Sequence, residues 1–365
     1  MKIAIAKIGA NITLSKNNGS AANADILYAL RTMKGFGHRF TIVTHKTSNT
    51  SLPVALGFEE LYTIKDFNDY DCVMLFNGSI NFFGGVEDPG VISLYKALAK
   101  TRKPVFFVNT DGVLVLRNLW PMIANREWAK GYSEIDFDLE NTPIHYLTQG
   151  RDLPKMRRHI IETKNSVIPL TIDHFPWEQT ILSEHEKWFP IKPRPVSKRE
   201  YDLGFGGYIR NSHKQRRIER YYDEADIRTL LFGNLRGINL KNTELHPKIS
   251  FQSMVPTMEQ CQASVIVGDL LYNDNFHTLR MYECLLAGCA VLIDKQLDSK
   301  GEFYKGISPG DRFYVNSPSD VRAFIWNDSI DTLVMDVRQK VLKHRADQMI
   351  DNVLLDKMVK ICGQQ

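Results

Sequence analysis

The sequence predicts an α/β fold made of two doubly wound parallel sheets, on three observations. Apolar runs of strand length alternate with helix-like stretches along the whole chain, which is a parallel α/β rhythm. The strongest runs, Cys72-Val-Met-Leu-Phe76, Pro104-Val-Phe-Phe-Val108 and Ala263-Ser-Val-Ile-Val267, are nearly unbroken in apolar residues, as strands covered by helices on both faces must be. The rhythm stops at a Pro-rich basic segment and then restarts, which suits a chain of 365 residues. Single cores give way to two beyond roughly 250–300 residues.

In the first half the predicted strands are Lys2–Ile8, Phe40–Thr44, Cys72–Phe76, Pro104–Asn109, Pro143–Leu147 and Val167–Leu170. Phe189-Pro-Ile-Lys-Pro-Arg-Pro-Val-Ser-Lys-Arg199 follows, and its prolines and mixed charge read as a stiff surface connection. The second series is Leu203–Phe205, Thr229–Phe232, Ile249–Phe251, Ser264–Val267, Ala290–Ile293 and Phe313–Val315, and from about Ile330 the pattern is helical. The domains are therefore expected at residues 1–185 and 201–342, joined by a linker at 186–200.

Composition narrows the function. No apolar run approaches the roughly 20 residues that span a bilayer, and the start Met-Lys-Ile-Ala-Ile reads as a strand rather than a signal peptide. The five cysteines are odd in number and form no Cys-x-x-Cys pair, which favours a reducing cytoplasm and argues against zinc. A net charge of +4 does not by itself announce a nucleic-acid partner.

In doubly wound sheets ligands bind outside the carboxyl ends of the strands. After Pro104–Asn109 comes Thr110-Asp111-Gly112, where Asp111 suits a general base and equally a helix cap. After Leu203–Phe205 comes Gly206-Gly207-Tyr208-Ile209-Arg210, a turn that can cradle a diphosphate or simply be tight. After Ser264–Val267 comes the densest polar stretch, Gly268-Asp269 through Tyr272 to Thr278-Leu-Arg280-Met-Tyr-Glu283. Arg280 and Glu283 lie one helical turn apart. They fit either the pyrophosphate and ribose of a nucleotide or an ordinary i,i+3 ion pair.

Other signals read more plainly. Asp136-Phe-Asp138 resembles a metal-binding D-x-D but lacks a preceding strand, so no metal is assigned. Asp223-Glu-Ala-Asp226 spells a helicase tetrad without any P-loop lysine. Basic clusters at Lys155–His159, with Arg157 and Arg158, and at His213–Arg220 flank the linker and suit a phosphate backbone or solvated helix faces. Phe82 and Phe83, adjacent in the turn Asn81-Phe-Phe-Gly-Gly85, fit a base-stacking wedge or packing under a loop.

Taken in order, these segments resemble the DNA β-glucosyltransferase family of T-even phages. The resemblance rests on Ser79–Gly85, Thr110-Asp111 through Trp120-Pro121 to Trp128-Ala129, Phe175-Pro176 with Glu178-Gln179, Gly206-Gly207 with Arg210, Gly268–Glu283 and Arg312–Asn316. It implies a GT-B fold, two Rossmann-like domains facing a central cleft, with a C-terminal helix at 343–365 crossing back to the first domain. The implied chemistry is inverting transfer of a sugar from a UDP-sugar to 5-hydroxymethylcytosine in double-stranded DNA, with the base flipped out. Asp111 would be the base. Gly207, Tyr208, Arg210, Val255, Asp269, Tyr272, Arg280 and Glu283 would hold the donor, and Asp25 and Glu178 would line the sugar pocket. Phe82, Phe83, Lys155, Arg157 and Arg158 would meet DNA.

The sequence departs from the family at three places. Asp25 stands where a glutamate is expected, and Tyr208 replaces a small residue. The family's second arginine falls on Lys214 or Arg216. The donor is accordingly UDP-glucose or UDP-arabinose, and a divalent metal is compatible but required by no motif. A monomer in the host cytoplasm is expected. Rival expectations are a transferase acting on a lipid or small metabolite, and a non-catalytic DNA-binding relative.

Overall fold

The computed structural model describes residues 1–8, 37–43, 58–61, 63–77, 97–98, 100–109, 144–148, 167–169, 193–209, 211–235, 237–249, 251–270, 272–274, 278–347 and 353–363. The chain divides into two compact units. The first comprises Met1–Ser15, Gly19–Trp177 and Ile350–Gln365, and the second Lys16–Asn18 with Glu178–Met349.

Among the described residues, the first unit is built on a seven-stranded sheet. Its strands are β1 (Lys2–Ile8), β2 (Arg39–Val43), β3 (Glu59–Leu61), β4 (Cys72–Asn77), β5 (Val105–Asn109), β6 (Ile144–Thr148) and β7 (Val167–Pro169). They lie in the order β3-β2-β1-β4-β5-β6-β7, every pair parallel. Ile3, Ile5, Ile42, Val73, Met74 and Phe106 are buried along the central strands, as the unbroken apolar runs require. β3 is a strand that apolar patterning missed: Glu59-Glu60-Leu61 is polar because it forms the edge, where Thr41 of β2 donates to Glu59 at 3.0 Å.

The second unit's sheet has six strands among the described residues: β8 (Tyr201–Tyr208), β9 (Thr229–Asn234), β10 (Thr243–His246), β11 (Cys261–Ile266), β12 (Ala290–Asp294) and β13 (Tyr314–Val315). Their order is β10-β9-β8-β11-β12-β13, again all parallel. Both sheets thus reverse winding beside their first strand, at the β1/β4 and β8/β11 boundaries. That is where doubly wound folds place ligands.

The described helices are α1 (Ser212–Tyr222), α2 (Phe251–Met258), α3 (Leu279–Leu286), α4 (Pro318–Ile325), α5 (Ile330–Asp347) and α6 (Val353–Gly363). One sequence expectation is corrected here. No strand includes Ile249, and Phe251 opens α2, whose Val255 and Met258, one turn apart, are both buried. The neighbouring strand is instead Thr243–His246, a mostly exposed edge that apolar patterning could not find.

Candidate functional site

The β8/β11 boundary collects polar residues from three directions. β8 and β11 are registered through Cys261 with Tyr201 and Ala263 with Leu203. Further along, the Tyr222 hydroxyl of α1 accepts from Val265 N–H at 2.9 Å and lies 3.0 Å from the Gly204 carbonyl oxygen. A helix side chain therefore bridges the two strands where the sheet changes hand.

The glycine turn at the end of β8 owes part of its composition to packing. A Cβ on Gly206 would meet the Phe232 ring, with Cζ at 2.5 Å, so this glycine is dictated by the neighbouring strand rather than by a ligand. Gly207 has no such obstruction closer than the Phe205 ring at 3.3 Å. Tyr208 ends the strand 47% exposed, unusual for so large a side chain at the mouth of a sheet. α1 starts just after this turn. Asn211 caps it by accepting from Lys214 N–H at 2.9 Å, and its own amide donates to Asp269 at 2.8 Å. No acidic residue occupies the first turn of α1, so its amide dipoles and Lys214 set a positive local field. Lys214 Nζ lies over the Phe205 ring, 6.0 Å from its centre, whereas Arg216 is exposed.

Gly268 opens the loop after β11. A Cβ there would approach Leu297 Cδ1 to 2.7 Å and Tyr272 Cβ to 2.9 Å, so close approach explains this residue. Asp269 and Tyr272 are half-buried in the loop. α3 then presents its N-terminus. Thr278 sits at the cap position but makes no capping bond, and its buried Oγ1 has no hydrogen-bond partner. The buried Nε of Arg280 is likewise unpartnered, while Nη1 pairs with Glu283 at 2.7 Å and also meets the Met254 sulfur. Glu283 is only 3% exposed. The i,i+3 ion pair is thus real, and it leaves donors unsatisfied beside it. Buried polar atoms without partners are uncommon, and two of the seven found among the described residues stand together at this helix N-terminus, the ordinary place for an anion.

The far end of α3 is fixed firmly. Arg199 donates to Ala287 O at 3.0 Å and Cys261 O at 2.9 Å, and Arg338 Nε donates to Leu285 O at 2.6 Å. Burial pushes the Arg199 guanidinium below its ordinary range. Cations at the C-terminus oppose the helix dipole favourably and hold the other end of α3 toward the β8/β11 boundary.

Of the sequence-derived candidates, Gly207, Tyr208, Lys214, Asp269, Tyr272, Arg280 and Glu283 fall on these strand ends and helix starts. Val255 is 1% exposed where α2 packs against α3 and β8. Arg210, Asp111, Asp25, Glu178, Phe82, Phe83, Lys155, Arg157 and Arg158 lie outside the described residues, as does Asp136–Asp138. The described end of β5, Asn109, is two residues before Asp111. Asp223–Asp226 is structural: Asp223 closes α1, and Arg322 pairs with both Glu224 and Asp226. Sequence reasoning missed Arg217, whose buried guanidinium supports the Gly268 loop from below.

Comparison with known proteins agrees with this architecture. Residues 1–180 match the family model of bacteriophage T4 beta-glucosyltransferase. The chain is 29% identical over 331 residues to the DNA beta-glucosyltransferase of Enterobacteria phage T4, covering 88% of this chain and 87% of that protein. Among solved structures, T4 phage BGT in complex with UDP and Mn2+ superposes with a TM-score of 0.76 at 26% identity, over 99% of both chains. A T4 phage BGT mutant in complex with UDP-glucose gives 0.74 at 26% identity, over 95% of this chain and 96% of that one. Two parallel α/β sheets of this order, with that similarity running through both, place the fold in the GT-B class. Through both sheets, the chain is similar to the bacteriophage T4 beta-glucosyltransferases.

Proposed function

We propose that the chain is an inverting glycosyltransferase that moves a sugar from a UDP-sugar to the hydroxymethyl oxygen of 5-hydroxymethylcytosine in duplex DNA. The observation that carries the donor half is the pair of orphaned buried atoms, Thr278 Oγ1 and Arg280 Nε, at the start of α3. An anionic diphosphate is the chemistry that would satisfy them. The acceptor half is supported by the similarity to a DNA beta-glucosyltransferase over most of the chain.

On this reading residues 201–342 bind the donor and residues 1–185 present the acceptor, with α6 (Val353–Gly363), rather than one helix over 343–365, serving the first domain. Gly207, Arg210, Lys214 and Arg280 hold the diphosphate, with Lys214 preferred to Arg216 because it stands in the first turn of α1. Glu283 takes the ribose hydroxyls, Asp269, Tyr272 and Val255 complete the nucleotide pocket, and Asp25 and Glu178 face the sugar. An alcohol is hardly ionised near neutral pH, so Asp111 accepts the hydroxymethyl proton as the oxygen attacks the anomeric carbon. The bond to the UDP oxygen breaks in the same displacement, inverting the centre. The charge left on UDP is met by the arginines and helix amides.

A base inside a duplex is out of reach, so the target nucleotide is extruded. Phe82 and Phe83 fill or probe the gap while Lys155, Arg157 and Arg158 hold the phosphates. A divalent ion is compatible with a diphosphate donor, and among the described residues no group of His, Cys, Asp and Glu side chains is arranged to hold one. Among them, too, no helix is long and apolar enough to cross a membrane. The enzyme acts as a monomer in the host cytoplasm.

Mass spectrometry of hydroxymethylated duplex DNA after incubation with UDP-glucose or UDP-arabinose tests the proposal. A mass increment of one hexose or pentose is expected. Asp111→Asn should lower the rate about 10²–10⁴-fold with UDP binding intact. Unmodified DNA with every donor, or a fully active Asp111→Asn, overturns it.

A further inference from the structure

We propose that Arg217 is a positioning residue that presets the loop between β11 and α3 to receive the donor diphosphate. The inference rests on the donor-site reading above. Arg217 belongs to the inner face of α1 with Ile218, Tyr221 and Tyr222, all buried. Its Nε donates to Asp294 Oδ2 at 2.9 Å at the end of β12, and Nη2 lies 2.9 Å from the same oxygen as an ion-pair contact that makes no hydrogen bond of its own. Its Nη1 points the other way, donating to Gly268 O at 2.8 Å and Asn273 Oδ1 at 2.9 Å. Asp294 is 1% exposed, and its second oxygen accepts from Gln296 N–H at 2.8 Å, so the anchor is itself fixed.

Such a pair does little for net stability, because desolvating two charges offsets most of their attraction. What it supplies is direction. A planar fork locked on a strand end can hold a backbone carbonyl and a side-chain amide at two points of one loop, which an apolar side chain cannot. The loop is secured elsewhere too. Asn211 binds Asp269, and Asp274, in the left-handed region at φ 53°, accepts from Ser299 N–H at 2.6 Å and Ser299 Oγ at 2.7 Å. Asp274 N–H donates to Leu297 O at 2.7 Å. Positions 268, 269, 273 and 274 are thereby tied, with Tyr272 among them. A loop ordered before the ligand arrives loses less entropy on binding. Releasing Arg217's hold should weaken ground-state and transition-state binding alike, raising the donor KM without lowering kcat.

The test uses the full-length chain, UDP calorimetry and donor steady-state kinetics. Arg217→Lys keeps a cation for Asp294 but loses the fork. It should raise the UDP Kd and donor KM about tenfold while kcat stays within about threefold. Asn273→Ala leaves the buried pair intact and should shift both constants in the same direction by less. The double variant should be no weaker than Arg217→Lys alone, since both act through one contact. Folded variants that bind UDP as the wild type does, or a double variant whose losses add in full, overturn the proposal while leaving the donor site standing. A wild-type chain that does not bind UDP overturns both. Should Arg217→Lys fail to fold, Asn273→Ala decides: a raised Kd with unchanged kcat supports the proposal, and an unchanged Kd overturns it.

Discussion

Asn211 and Asp269 meet across the β8/β11 boundary, the amide of the α1 cap donating to the carboxylate of the β11–α3 loop at 2.8 Å. The same Asn211 side chain accepts from Lys214 N–H, so one residue both starts the helix and ties it to the loop. Asn211→Ala removes both bonds. Loss of a cap of this type costs about 1 kcal/mol. Asn211→Asp keeps the cap but sets two carboxylates against each other. Thermal denaturation should therefore show Asn211→Ala destabilised by about 1 kcal/mol, while UDP binding should fall more in Asn211→Asp than in Asn211→Ala. Equal UDP affinity in all three chains would separate this contact from the donor site.

The Arg280–Glu283 pair makes a second prediction. Glu283 is nearly enclosed, so Arg280→Ala leaves a carboxylate without its cation. Breaking a buried pair from one side typically costs about 3–5 kcal/mol, and the part-exposed arginine here places the expected loss near about 2–3 kcal/mol. UDP should raise the melting temperature of the wild type, since a ligand bound only to the folded state stabilises it. That shift should vanish in Arg280→Ala. A retained ligand shift would mean that the diphosphate sits elsewhere.

Tyr201 and Glu244 link the first strand of the second sheet to its edge strand through a hydrogen bond of 2.5 Å. The carboxylate's acceptance of that bond, with some burial, pushes the Tyr201 phenol up to about 12, and the same bond draws Glu244 below the usual carboxylate range. Because the folded-state value of Tyr201 is raised, its contribution is fully present below pH about 10 and is lost as pH rises through about 12. Alkaline titration by ultraviolet absorbance should show one tyrosine fewer ionising near pH 12 in Tyr201→Phe. The variant should also lose less stability than wild type between pH 10 and 12. If the tyrosine lost from the curve is instead one that ionises near the ordinary value of about 10, Glu244 does not hold the phenol.

The interior strands were legible from their long apolar runs, which strands buried on both faces require, as at Ala290–Asp294, buried throughout. The edge strands Glu59–Leu61 and Thr243–His246 escaped because an exposed edge needs no apolar pattern. The candidate site was legible at strand ends, where Gly-Asp and Gly-Gly turns stand out. Arg217 was not, since it lies in the basic run His213–Arg220 that reads as a solvated face. Its spacing held the missing signal: Arg217 lies four residues before Tyr221, beside Ile218 and Tyr222, on the one buried stripe of α1. Gly206 misled in the opposite sense, its composition being set by Phe232.

Tyr208 carries the prediction on donor choice. It closes β8 beside Gly207 and remains 47% exposed, at the boundary where the donor is proposed to lie. A hexose carries a hydroxymethyl arm that a pentose lacks, and an aromatic ring in that volume would exclude the arm while tolerating the smaller sugar. Discrimination by one carbon-sized group is worth about 1–3 kcal/mol, or roughly 10–200-fold in kcat/KM. Wild type should therefore favour UDP-arabinose over UDP-glucose by at least about tenfold, and Tyr208→Ser should narrow or reverse that ratio. Competition between the two donors on hydroxymethylated DNA, read as the pentose-to-hexose ratio in the product, measures it directly. A ratio that Tyr208→Ser leaves unchanged would remove the ring from sugar selection and return the choice to Asp25.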